Sequence, residues 1–295
     1  SRNPKWNKHR QQYGDAGKEI KALRCTQLLF GSNYFCRHIS FVLTSLVYCR
    51  IITCQARSLQ LIDRWLKFNQ SLFPQACMLC SAPQGGSLAL CAGCLQDLPW
   101  HSAGRCPQCA LASVDNQVCG HCLKSPPAFN YTQALFRYEY PLDAMLQRYK
   151  YNHLLALAET FGALLADSIA PISRSTSHPD IIIPMPLHPQ RLAERGFNQA
   201  VEIARVVSRQ LNIKMDTTSC GRIKLAPPQV SLPLKQRVKN MRGAFACNQR
   251  LDGLHITLID DVMTTGASLN ALAKTIKSAG ADSVECWVIA RTLPH

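Results

Sequence analysis

Two adjacent carboxylates, Asp260 and Asp261, close an apolar run in the stretch HITLIDDVMTTGASL, residues 255 to 269. Small or hydroxylated residues follow at Thr264, Thr265, Gly266, Ala267 and Ser268. A run of this kind predicts a buried strand, a turn and the start of a helix, where free backbone N–H groups and the helix dipole favour a phosphate. Gly266 lets the backbone approach a ligand, and the hydroxyls of Thr264, Thr265 and Ser268 add donors. With no lysine and one glycine, the stretch is not the G-x-x-x-x-G-K-[ST] loop of nucleoside triphosphatases. Two acids would repel a bare phosphate, so the expected ligand also brings hydroxyls or a divalent cation to that side, as a sugar phosphate does. The plainer reading, an acidic turn with Thr264 or Thr265 capping the helix, does not need two acids behind a buried strand.

A second chemistry lies upstream. Eight of the fifteen cysteines form four C-x-x-C pairs: Cys77 and Cys80, Cys91 and Cys94, Cys106 and Cys109, Cys119 and Cys122. A C-x-x-C turn aims two sulfurs at one metal, and two turns complete a tetrahedral thiolate shell, so the eight ligands predict two zinc ions. Sequential pairing closes the shorter loops and is expected, with first-to-third and second-to-fourth pairing as the alternative. A closed four-sulfur shell has no open position, which makes these zincs structural. Such thiol-rich modules belong to a reducing cytosol, so disulfides are not expected there and a cytoplasmic location is. His121 is expected to be a solvated turn residue, and Cys220, Cys247 and Cys286 small core residues.

These residues need a scaffold. Apolar runs at 131–140, 179–187, 255–261 and 283–291 predict strands, and periods near 3.6 predict helices at 141–151, 153–170, 195–211 and 267–280. Strands alternating with helices predict a mostly parallel sheet, whose ligands collect at the carboxyl ends of the strands. Three loops, 184–198, 222–245 and 260–268, converge on that edge. The expected organisation is a leader at 1–57, disordered or an artefactual extension; a helix with the cysteine module at 58–125; and an α/β domain at 126–295.

A formal charge of +15 invites a nucleic-acid reading, but ten lysines and arginines against two carboxylates place +8 of it in residues 1–57. The most apolar leader stretch, SFVLTSLVYCRIITC, is broken by Arg50 and is shorter than the ~20 residues a membrane span needs, so no span is expected. It also lacks signal-peptide order. Segment 217–251 holds seven bases and no carboxylate, which suits pyrophosphate or a nucleic-acid backbone.

On these residues, ITLIDDVMTTGAS (256 to 268) resembles the phosphoribosyl pyrophosphate (PRPP) motif of type I phosphoribosyltransferases. PMPLHPQRLAERGFNQA (184 to 200) and PPQVSLPLKQRVKNMRGAF (227 to 245) narrow the resemblance to the ComF/GntX family of competence-related proteins, from about residue 72 to residue 294. It implies an α/β, type I phosphoribosyltransferase-like, mostly parallel sheet with helices on both faces, preceded by a small cysteine-rich zinc-ribbon module. It implies that Asp260 and Asp261 engage ribose hydroxyls and that Thr264, Thr265, Gly266, Ala267 and Ser268 hold the 5-phosphate. Met185 and Pro186 would stand in the pyrophosphate loop, and Arg191 and Arg195 would neutralise the leaving group through their planar forks. Asp260, Asp261, Arg191 and Arg195 are then the catalytic set.

Gln229, Arg237 and Asn240 match the family's Q-x-x-L-x-x-x-x-R-x-x-N pattern, adding Arg237 and Asn240 to the ligand set and leaving Lys235 and Lys239 to a solvated face. Phe197 is expected to be a packing anchor, and His188 stays open between a loop residue and an acid or base. The implied reaction is a Mg²⁺-dependent transfer of ribose 5-phosphate from PRPP, or a related phosphoribosyl ligand, to an acceptor that the residues do not identify. The family's link to competence implies uptake or utilisation of DNA, with single-stranded DNA and the uptake machinery as partners. The rival is a non-catalytic or regulatory protein that handles single-stranded DNA and keeps the PRPP-binding fold.

Two closed thiolate shells predict about two zinc ions per chain by elemental analysis. A count near zero, with the cysteines oxidised, would overturn the ribbon reading.

Overall fold

The computed structural model describes residues 76–102, 104–151, 155–173, 179–225, 241 and 243–294. The leader at 1–57 lies outside them.

Five strands form one parallel sheet. They are β1 (Tyr131–Arg137), β2 (Ile181–Pro184), β3 (Lys214–Met215), β6 (His255–Met263) and β7 (Ser283–Arg291), in the order β1-β7-β6-β2-β3. β4 (Cys220–Arg222) and β5 (Phe245–Cys247) make a separate antiparallel pair, bridged by a disulfide between Cys220 and Cys247. Those two cysteines are therefore bonded to each other, whereas Cys286 is a buried free thiol in the core. The long central strands β6 and β7 pair over nearly their whole length. Val, Ile and Leu on both of their faces are what a parallel strand covered on both sides requires.

Helices α3 (Leu142–Tyr151) and α4 (Ala156–Ser173) lead from β1 to β2, and α5 (Pro189–Arg195) and α6 (Gln199–Leu211) lead from β2 to β3. α7 (Ala267–Ser278) joins β6 to β7 in the opposite direction along the sheet. Right-handed crossovers place helices of opposite travel on opposite faces, so α4 and α6 cover one face and α7 the other. The expected helix at 195–211 is divided. Gly196, at φ 75°, closes α5 in the left-handed conformation, and Asn198 caps α6 by accepting from the Ala200 N–H at 3.0 Å. The expected strands at 131–140 and 179–187 are shorter, and that at 255–261 runs two residues further, to Met263.

The cysteine-rich segment, with short helices α1 (Ala92–Gln96) and α2 (Gly120–Lys124), lies along the outer edge of β1. Trp100 bridges Phe136 in antiparallel fashion; the His101 N–H donates to Leu135 O at 3.0 Å, and the Arg137 N–H to Pro99 O at 2.8 Å. An open sheet edge is thereby covered. Among the described residues no helix is long and apolar enough to cross a membrane.

α4 and α6 approach closely at Gly162, where a Cβ would fall 2.5 Å from Val206 Cβ. Gly162→Ala gains about 1 kcal/mol of helix propensity but overpacks at a cost of about 1–3 kcal/mol, so a net loss is expected. A denaturant midpoint unchanged or raised would refute this account of the contact.

Candidate functional site

Successive side chains of a strand face opposite sides, and this separates the two acids. Ile256 and Leu258 of β6 join the core shared by α7 and the β4–β5 pair, and Asp260 continues that side, within the field of Arg222 on β4. Asp261 turns to the other face. There its Oδ2 lies 2.8 Å from Lys150 Nζ on α3, with the two side chains 12% and 23% exposed. Lys150 thus pairs with Asp261 and also draws on Asp260, with Arg222 adding a weaker pull, so the offset that sequence reasoning assigned to the ligand is in part built into the chain. Sequence reasoning missed Lys150. The available signal was its position four residues after the buried Leu146, on the apolar flank of α3.

Asp260 Oδ1 accepts from the Asp261 N–H at 2.9 Å. Burial, then the Asp261 charge, pushes the Asp260 carboxyl up to about 7, against the pull of that N–H, Lys150 and Arg222. Burial works against the Lys150 charge, but the charge of Asp261 and its hydrogen bond outweigh it and raise the ammonium above its ordinary range.

The acids sit inside β6, and the chain turns only after Met263. Gly266, at φ 76°, is the residue before the first turn of α7, and a Cβ on it would meet Met263 Cε at 2.7 Å. Thr265 Oγ1 accepts from the Ala267 N–H at 3.2 Å, and Ser268 Oγ lies 3.4 Å from the sulfur of Met241. Arg222 reaches the same sulfur from the β4 side. Burial first, with Arg191 adding its positive charge, holds Arg222 below the ordinary arginine range, while Asp260 opposes.

The β2–β6 register sets Pro184 beside Ile259, and the Met185 N–H donates to Ile259 O at 2.8 Å, so Met185 and Pro186 flank the acid pair. The Met185 side chain is buried and its backbone N–H is taken up by Ile259, so Met185 shapes the turn rather than offering a free donor. Asn198 Nδ2 donates to Met185 O at 3.0 Å and fixes this turn against α6. Arg195 donates to Gln199 Oε1 at 3.2 Å and stands 5.8 Å from the ring centre of Tyr151, the residue after Lys150. Arg191 pairs with Glu194 at 2.8 Å along α5. His188 Nδ1 accepts from the Gln190 N–H at 3.3 Å, a helix cap, and Phe197 packs 5.6 Å from Tyr149. Arg237 and Asn240, with Gln229, Lys235 and Lys239, lie outside the described residues.

The cysteines gather as two tetrads in sequential pairing, Cys77, Cys80, Cys91 and Cys94, then Cys106, Cys109, Cys119 and Cys122, each with all four sulfurs within 4.8 Å of one another. Cys80 and Cys91 sulfurs are 3.6 Å apart, as are those of Cys109 and Cys119, close to the ~3.8 Å edge of a tetrahedron built on zinc–sulfur bonds. Although burial opposes it, backbone N–H groups draw the Cys77 and Cys106 thiols down to about 6 and about 7; burial and the neighbouring sulfurs drive Cys94 and Cys122 up. Four such thiols ionise together only around a cation, and zinc fits both shells.

The Asp260 shift fixes a pH dependence. A carboxyl that holds its proton more tightly folded than unfolded contributes stability at low pH, and loses it as pH rises from about 4, its unfolded range, through about 7. Asp260→Asn removes that titration and leaves the zinc contribution common to both proteins. The stability of the variant relative to the parent is expected to increase from pH 4 to pH 7 and to level off above; a constant difference in denaturant midpoints would contradict the shift.

A family model, Double zinc ribbon domain, matches residues 68–123. DNA utilization protein YhgH of Escherichia coli O6:H1 is 30% identical over 224 residues, covering 75% of this chain and 98% of its own. Competence protein F of Haemophilus influenzae is 30% identical over 208 residues, covering 68% of this chain and 90% of its own. Among solved structures, Leishmania donovani UMP synthase aligns with 47% of this chain and 23% of its own, at 19% identity and a TM-score of 0.29, a likeness too slight to carry weight. With two cysteine tetrads ahead of a parallel α/β sheet and near full-length similarity to those two proteins, the chain belongs to the ComF/GntX family of competence and DNA-utilisation proteins.

Proposed function

We propose that the carboxyl edge of the sheet binds PRPP and serves a Mg²⁺-dependent transfer of its ribose 5-phosphate group. The observation that carries this reading is the acid pair with split faces, one residue pair ahead of a hydroxyl loop at a helix N-terminus. The backbone of residues 266–268, with Thr264, Thr265 and Ser268, would hold the 5-phosphate. Asp260, sharing its proton near neutral pH, can both donate to and accept from a ribose hydroxyl, while Asp261, paired with Lys150, would offer a carboxyl oxygen as an acceptor. Met185 and Pro186 would form the wall beside the pyrophosphate, and Arg191 and Arg195 would take up charge as it departs. Arg237 and Asn240 complete the ligand set in this reading. Mg²⁺, when bound, would shield the pyrophosphate charge. Catalysis would rest on positioning and on charge neutralisation.

The names of the relatives tie such a site to uptake or utilisation of DNA, and the free-thiol tetrads suit a cytoplasmic setting. Domains at 58–125 and 126–295, with a leader at 1–57 of little function, complete the proposal.

Calorimetry with PRPP and Mg²⁺ tests it. The parent protein is expected to bind, and Asp260→Asn/Asp261→Asn to weaken binding by at least about tenfold, or ~1.4 kcal/mol. No detectable PRPP binding by the parent, with salt-dependent binding of single-stranded DNA that persists without residues 1–57, would replace this reading with the DNA-handling one.

A further inference from the structure

Arg291 ends β7 with 3% of its surface exposed. Its Nε donates to Cys109 O at 2.7 Å. One terminal nitrogen donates to Met263 O at 3.0 Å, to Thr292 O at 2.8 Å and to Thr264 O. Among the described residues no carboxylate forms an ion pair with it. A buried guanidinium held only by carbonyls is costly unless negative charge lies nearby. The second cysteine tetrad meets that need, because four thiolates around one divalent zinc leave a net negative charge and Cys109 is one of the four.

The same guanidinium thus touches a zinc ligand on one side and the first residues of the 264–268 loop on the other. The rest of that zinc knuckle is fastened too. Pro107 O accepts from the Thr132 N–H at 2.8 Å, Gln108 O from Thr132 Oγ1 at 2.5 Å, and Ala110 O lies 2.7 Å from His101 Nε2. Four successive carbonyls, those of Pro107, Gln108, Cys109 and Ala110, are therefore fixed by β1, β7 and His101. The first tetrad has a different anchor, Leu88 O accepting from Thr160 Oγ1 of α4 at 2.8 Å, and none of the carbonyls that hold Arg291 belongs to it.

We propose that Arg291 is a positioning residue through which zinc at Cys106, Cys109, Cys119 and Cys122 fixes the backbone of the 264–268 loop, and that the tetrad at Cys77, Cys80, Cys91 and Cys94 has no such effect. The proposal rests on these contacts and holds whether or not the loop takes PRPP.

Hydrogen exchange on the full chain, read over residues 262–270 and over the reference helix α6, tests it together with zinc analysis. Cys119→Ser is expected to remove one zinc and speed exchange in the loop by at least about tenfold, with α6 unchanged; Cys80→Ser is expected to remove the other zinc and leave the loop as in the parent. Arg291→Lys and Arg291→Met address the link without touching a ligand. Both should keep two zincs and speed exchange in the loop, Met more than Lys because the lysine retains the charge and part of the hydrogen bonding. Loop exchange unchanged in Cys119→Ser, or raised equally in Cys80→Ser, overturns the proposal. Should Cys119→Ser also loosen α6, the arginine variants decide: a loop at parental rates with two zincs bound overturns it.

Discussion

A strand covered on both faces can carry charge only where that charge finds a partner, and it finds one most readily where the strand leaves the sheet. β6 and β7 occupy the middle of the five-stranded sheet and obey this constraint closely. Their interiors are apolar beyond two polar cross-strand pairs near the start, His255 Nδ1 with Ser283 Oγ at 2.6 Å and Thr257 Oγ1 donating to Glu285 Oε1 at 2.8 Å. Their carboxyl ends hold Asp260, Asp261 and Arg291. The site is the place at which the fold permits charge.

The two neighbouring acids avoid each other by pleating. One points to the side of α7 and Arg222, the other to the side of α3, where it pairs with Lys150; these two cations, about seventy residues apart in the chain, both favour the charged form of Asp260 against burial. In the proposed reading, a ligand entering this edge would meet Lys150 and Arg222 beside the acids and not a bare acidic patch. Selection then falls on shape and hydrogen bonding: hydroxyls suit the acids, and an anion suits the turn beyond Met263. A ligand that carried only one of these groups would leave the other half of the site unused.

The sheet's main strands, the hydroxyl loop and the cysteine spacing were visible in the residues because each is a local pattern: alternation, period or fixed offset. What escaped was set by contacts distant in sequence. β3 has only two residues, Lys214 and Met215, and exists because β2 offers it an edge. The β4–β5 pair rests on Cys220 meeting Cys247 across 27 residues. Lys150 gains its role only from Asp261, more than a hundred residues further along the chain. Gly196 divides a helix whose apolar period runs on past it, since period carries no information about a left-handed residue. Three of the four carbonyls that hold Arg291, those of Cys109, Met263 and Thr264, lie far from it along the chain.

Ala110 follows the zinc ligand Cys109, is fully buried at φ 55°, and packs in the same core as Phe129, Phe245 and Leu269. The core of the sheet and the cluster around Cys106, Cys109 and Cys122 thus meet at one peptide bond. In evolutionary terms the second ribbon is not a detachable accessory. A lineage that lost its cysteines would also free Ala110 from its place in the sheet's core, so ribbon and sheet are expected to be inherited, and to diverge, together.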